Sequence, residues 1–104
     1  MDQNIDSAIA KYLQLVRDKY ADLECAYVFG SFAKGYASDE SDIDLALIFS
    51  QLDGSQRFDT QVQLMLLASK IDSRIEPHPL SHEDFYSENP FIHEIKKTGY
   101  EVTN

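Results

Sequence analysis

Residues Tyr27–Phe49, YVFGSFAKGYASDESDIDLALIF, hold an apolar run, a Gly-Ser turn, a polar loop, two acids and a second apolar run. Physically this reads as a strand, a turn that can hold an anion, a loop, and a strand that opens on metal ligands. Asp42 and Asp44 are two apart at the head of that second strand. The period of two puts both carboxylates on one face, roughly 7 Å apart, with Ile43, Leu45 and Leu47 on the other. Two acids on one face can converge on a hard cation such as Mg²⁺, and burying them unpaired would be costly. A D-x-D alone is more often a pair of solvated acids. Gly30-Ser31 shifts the balance, because a strand ending in Gly-Ser can turn backbone amides and a hydroxyl toward an anion.

The rest of the chain reads as support for this stretch. At 104 residues it is one domain, 1–104, with room for a core but little to spare. The hydrophobic fraction of 43% and charged fraction of 26% suit a soluble globular protein. No apolar run approaches the roughly 20 residues that span a bilayer, and the amino terminus carries acids where a secretory signal needs Lys or Arg. Cytoplasm is the expected compartment. Cys25 is the single cysteine, so no internal disulfide or Cys-based zinc cluster is expected, and its apolar setting suggests a buried, inert thiol. A net charge of −9 argues against a broad nucleic-acid surface. It also means that a polyphosphate ligand would need divalent cations or backbone amides to offset repulsion.

Hydrophobic spacing predicts an amphipathic helix over 4–20, with Ile5, Ile9, Tyr12, Leu13, Val16 and Tyr20 facing the core. Strands are expected at Cys25–Phe29 and Ile43–Phe49, with turn and loop over 30–41 and a short helical turn after Ser31. A helix over 56–72 is read as packing heavily on the sheet, with Phe58, Val62, Met65, Leu66 and Ser69 down one face and Leu64, Leu67 and Ala68 widening it. A short third strand, Arg74-Ile75-Glu76, is closed by Pro77 and Pro79, which a central strand excludes. Ser81 opens a short helix, with Asp84 completing a capping box, and Asn89-Pro90 opens a longer one that Gly99 stops. Tyr100–Val102 is a last edge strand or an extended tail. The fold class is α/β (α+β): a small mixed sheet with helices packed against it, in the order α-β-β-α-β-α.

Other phosphate and metal motifs fail on inspection. Gly30 and Gly35 have Walker A spacing, but Tyr36-Ala37 stand where Lys-[Ser/Thr] is required. G-x-G-x-x-G is absent, and Ile43 falls where an EF-hand needs a ligand. His78, His82 and His93 form no ligand pattern among themselves and are expected at the surface. What remains, a G-S pair, ten intervening residues and D-x-D between apolar strands, resembles the signature of the polymerase-beta-like nucleotidyltransferases. The form GSFAKG…SDIDLAL is most similar to the minimal nucleotidyltransferase (MNT) group.

That resemblance implies the nucleotidyltransferase fold and a transfer of NMP, AMP from ATP in the first instance, to a hydroxyl with release of pyrophosphate. Gly30 and Ser31 would hold the nucleotide phosphates, and Asp42 and Asp44 would bind two Mg²⁺ ions. A third carboxylate from a later strand completes such sites. Glu76 is the candidate here, although family members often carry Asp there, and Asp72 is the next choice. Lys34, the nearest cation to the turn, is either a phosphate contact or an exposed loop lysine. Free-standing MNT proteins are often encoded beside an all-helical HEPN protein and act as its antitoxin, some by adenylylating a tyrosine. The resemblance therefore implies a HEPN-type partner that supplies the acceptor, with a non-catalytic MNT antitoxin that works by binding as the alternative.

Overall fold

The computed structural model describes residues 3–35 and 41–102. The part of the expected loop over 36–40 lies outside the described residues. Helix α1 (Gln3–Lys19) leads into β1 (Leu23–Phe29), the single-turn α2 (Ser31–Lys34) and β2 (Ile43–Phe49). A 3₁₀ turn at Gly54–Gln56 precedes α3 (Arg57–Ser69), then β3 (Ile75–Ser81), α4 (His82–Phe85), α5 (Pro90–Thr98) and β4 (Tyr100–Val102). The sheet order is β3-β2-β1-β4, with β1 antiparallel to β2 and β4, and β2 parallel to β3. The mixed sheet and its helices match the fold class expected from the sequence, and Tyr100–Val102 is an edge strand.

β2 is central, and every residue from Ile43 to Phe49 except Asp44 is buried. Alternation splits its side chains between two cores. On one face Ile43, Leu45, Leu47 and Phe49 meet Ile5, Ile9, Tyr12, Leu13 and Val16 of α1 and Leu64 and Ala68 of α3. On the other, Ala46 and Ile48 pack with Phe29, Leu80, Phe85, Ile92 and Ile95, so α4 and α5 cover that face. Of the stripe expected on the first helix, Ile5, Ile9, Tyr12, Leu13 and Val16 are buried, while Tyr20 falls just beyond α1 and is half-buried. Cys25 is half-buried against the second core, and its thiol is pushed up from its ordinary range by burial and by the nearby Glu101 and Glu24 charges, which leaves it protonated and unreactive.

Two readings are corrected. The third strand does not stop at Glu76 but runs through both prolines to Ser81, in register with all seven residues of β2. The reason is its place at the sheet edge, where a residue without an N–H is tolerated if its hydrogen-bonding side faces outward. The ring of Pro77 is buried, but its backbone hydrogen-bonding side points away from β2: its carbonyl accepts a hydrogen bond from Gln61 Nε2 of α3 at 2.7 Å. Helix α3 also turns differently from the expected packing. Only Leu64 and Ala68 are buried, while Phe58 is 76% and Leu66 54% exposed, and Val62 and Met65 face outward with them. The buried Tyr12 hydroxyl helps set this rotation by donating to the Leu64 carbonyl at 3.0 Å.

The capping signals operate as written. Ser81 Oγ accepts from the Asp84 amide at 2.9 Å, and Asn89 Oδ1 accepts from the Phe91 amide at 2.8 Å ahead of Pro90. Both caps lie on the α4–α5 side of the sheet, the side to which Asp44 points.

Candidate active site

The site forms where β1 ends and β2 begins. At Gly30 the chain takes φ 75° and ψ −149°, a conformation open essentially to glycine alone, and single-turn α2 follows at once. Gly30 lies directly against Asp44: a Cβ placed on it would stand 2.5 Å from Asp44 Oδ2. Gly35, at φ 81°, ends the turn in the left-handed region. Ser31 is half-buried at the head of α2.

The β ladder then brings the acids together. Asp44 is paired with Phe29 of β1 on one side and Glu76 of β3 on the other. Directly opposed residues of neighbouring strands project on the same face, so the two carboxylates meet although 32 positions separate them. Asp42, exposed and just ahead of β2, accepts a hydrogen bond from the Glu76 carboxyl. Glu76 is held above the usual carboxylate range by partial desolvation, then by this bond to Asp42 and the Asp44 charge, with His78 opposing and the Asp42 charge adding. Three carboxylates thus share one small volume, a like-charge cluster that a cation would relieve.

His78, two residues beyond Glu76 on the same face of β3, joins them. Its Nε2 lies 3.1 Å from Asp44 Oδ1. Asp44, Glu76 and His78 each present one ligand atom within 4.8 Å of those of the other two. The imidazole stands edge-on to the Phe29 ring at 5.1 Å and 6.3 Å from Phe91 of α5, which itself packs on Phe29 at 5.5 Å. His78 was expected at the surface; its alternation with Glu76 on one strand face was the signal that tied it to the acids. A groove of about 330 Å³ runs outward from His78 past Phe91 and Asn89 to Arg57 and Asp84. A larger depression, about 390 Å³ between Tyr20, Phe49, Leu52 and Gln56, lies at the far end of β2 and holds none of the clustered groups.

The remaining sequence candidates fall elsewhere. Lys34 reaches Glu94 of α5 at 3.3 Å in a largely solvated ion pair. Asp72 is engaged by Arg74, whose Nη2 and Nε lie at 2.7 and 3.1 Å and whose amide donates at 2.9 Å. It therefore closes the turn into β3 and does not join the cluster. His82 pairs with Glu24 at 2.8 Å, and His93 is exposed on α5.

Among curated proteins no relative matches. Among solved structures, a candidate nucleotidyltransferase from Sulfolobus solfataricus superposes with a TM-score of 0.63 at 23% identity, covering 97% of this chain and 86% of that one. A toxin–antitoxin complex with AMP-PNP matches at 0.61 and 25% identity, covering 95% and 73%. The complex of a tri-AMPylated Shewanella oneidensis HEPN toxin with its MNT antitoxin matches at 0.60 and 21%, covering 93% and 70%. The family model described as polymerase beta, nucleotidyltransferase matches residues 9–104. Family match, sheet order and the turn-and-carboxylate geometry agree, and the chain belongs to the polymerase beta nucleotidyltransferase family.

Proposed function

We propose that this protein transfers a nucleoside monophosphate, AMP from ATP, to a hydroxyl on a HEPN-type protein partner in the cytoplasm. The observation that carries this reading is the meeting of Asp42, Asp44 and Glu76 beside the Gly30-Ser31 turn. The donor set fits hard divalent cations: clustered carboxylate oxygens, with the glycine leaving the approach to Asp44 open. Asp42, Asp44 and Glu76 would hold two Mg²⁺ ions. When bound, such ions neutralise the phosphate charge that builds up in an in-line displacement.

The chain's own groups divide the remaining work. The backbone at Gly30 and the Ser31 hydroxyl, at the start of α2, receive the phosphates without a side chain in the way. Glu76, at the mouth on the edge strand, takes the proton of the acceptor hydroxyl. The acceptor oxygen then bonds to the α-phosphorus as the α–β anhydride bond breaks, and pyrophosphate leaves. His78, braced by Phe29, orients Asp44. The groove beyond His78 offers the acceptor a path lined by Phe91 and Asn89. Lys34, already near Glu94, supplies a point charge at the rim at most.

A binding-only antitoxin is the second reading, and the exposed apolar stripe of α3 favours a protein contact. One experiment separates the two. The protein is incubated with Mg²⁺, labelled ATP and a HEPN-type partner, beside the double variant Asp42→Asn/Asp44→Asn. Label on the partner with the wild type alone is the expected result. A wild type that silences the partner without labelling it establishes the binding-only reading instead.

A further inference from the structure

We propose that His78 is a direct ligand of the divalent ion held by Asp44 and Glu76, so that the site takes a first-row transition ion such as Mn²⁺ in preference to Mg²⁺. The inference rests on the reading of these carboxylates as metal ligands and adds a nitrogen to them. It starts from the β2–β3 register, in which His78 lies opposite Ala46. The Ala46 side chain is only a methyl group, and the imidazole reaches diagonally from β3 to Asp44.

The ring is held in that pose. Phe29 packs edge-on at 5.1 Å and Phe91 stands on a further side at 6.3 Å, so Nε2 rather than Nδ1 is the atom presented to Asp44. The Nε2–Oδ1 separation of 3.1 Å suits a shared proton, and it equally suits a shared ion. Adjacent ligands of an octahedral ion bonded at about 2.1 Å stand about 3 Å apart. Glu76 completes the triangle, with all three ligand atoms within 4.8 Å. Exchange of the proton for a cation therefore needs little movement of the side chains.

Ligand type then decides the ion. Mg²⁺ favours oxygen donors and dehydrates reluctantly, whereas imidazole suits the first-row transition ions. An Asp/Glu/His set is accordingly biased toward Mn²⁺ and its successors more strongly than an all-carboxylate set.

Pulsed EPR on the full-length protein loaded with Mn²⁺ alone, with no nucleotide, reads the bond directly. The expected result is the ¹⁴N modulation of a coordinated imidazole in the wild type and its loss in His78→Asn. Titration calorimetry should show Mn²⁺ binding weakened by about tenfold or more in His78→Asn, with Mg²⁺ binding much less affected. Bound Mn²⁺ without nitrogen coupling, no Mn²⁺ binding, or an equal loss for both ions overturns the proposal. The wild-type spectrum decides even if the variant folds poorly. Asp44→Asn keeps the two readings apart: Mn²⁺ affinity unchanged there would remove the carboxylate site itself, whereas a missing nitrogen signal alone removes only His78 as a ligand.

Discussion

Gly30 and Asp44 are packed so closely that the first has no room for a side chain: a Cβ would stand 2.5 Å from Asp44 Oδ2. The same residue holds φ 75° with ψ −149°, so two separate physical causes demand glycine at one position. Gly30→Ala should therefore destabilise the fold by about 1–3 kcal/mol through backbone strain alone. It should also displace the Asp44 carboxylate and reduce nucleotidyl transfer by more than stability accounts for. Thermal unfolding beside a transfer assay at a temperature where the variant is folded checks both effects. Transfer at the wild-type rate would show that the Gly30–Asp44 contact is not part of the site.

Glu76 shares its surroundings with two other carboxylates, and in the absence of metal this is repulsive. Glu76→Gln removes one of the charges while keeping the shape of the side chain. In EDTA the variant should unfold at the same temperature as the wild type or slightly higher. Millimolar Mg²⁺ should raise the wild-type midpoint, by linkage, more than that of the variant. Transfer should fall by at least about 100-fold in Glu76→Gln, the scale of a lost general base, with ATP binding largely retained. Unchanged transfer would show that the third acid lies elsewhere.

The Asp72–Arg74 pair gives a pH dependence of defined sign. The Asp72 carboxyl is held below the usual carboxylate range, first by its hydrogen bond to the Arg74 side chain, with burial opposing and the Arg74 amide and charge adding. A depressed folded-state pKa contributes stability that is fully present above the unfolded value, near 3.9, and is lost as pH falls through the lower folded value. The wild type should therefore exceed Asp72→Asn by about 0.5–1 kcal/mol near pH 7, the scale of a partly exposed ion pair. The gap should close below about pH 4. Urea unfolding at pH 7 and pH 3 measures it, and a gap that is constant with pH would assign the effect to the turn rather than to the charge.

On α3, neighbouring residues should behave very differently. Leu64→Ala opens a cavity where α3 packs on α1 and the sheet and should cost about 2–4 kcal/mol. Phe58→Ser and Leu66→Ser, on the solvent face, should stay within about 0.5 kcal/mol. Chemical denaturation of the three variants provides the comparison. A large loss at Phe58 would mean that the helix is rotated the other way in solution.

Elements whose signal is local were legible in the chain. The α1 stripe, the two strands about the Gly-Ser turn, and the caps at Ser81 and Asn89 all depend on spacing within a few residues. The approach of Gly30 to Asp44 was legible for the same reason, since a short loop between two paired strands allows few other arrangements. The prolines of β3 misled because their tolerance depends on whether the strand is central or at the edge, and sheet order is not a local property. The apolar positions of α3 misled because the helix carries apolar residues on more than one face. Which of them become core is settled by where α1 and Tyr12 dock.

The Gly-Ser turn, and the acid at Asp44 near the head of the following strand, were thus legible in the sequence alone, because covalent spacing and strand geometry suffice for them; Asp42 lies just ahead of the strand. The meeting of Glu76, the third acid expected from the sequence, with Asp44, and the entry of His78 into the same cluster, rest on the tertiary structure. Both depend on the parallel register of β2 with β3, in which Asp44 faces Glu76 and Ala46 leaves space for the imidazole. That register is set by burial on both faces of the sheet, through contacts between residues far apart in the chain.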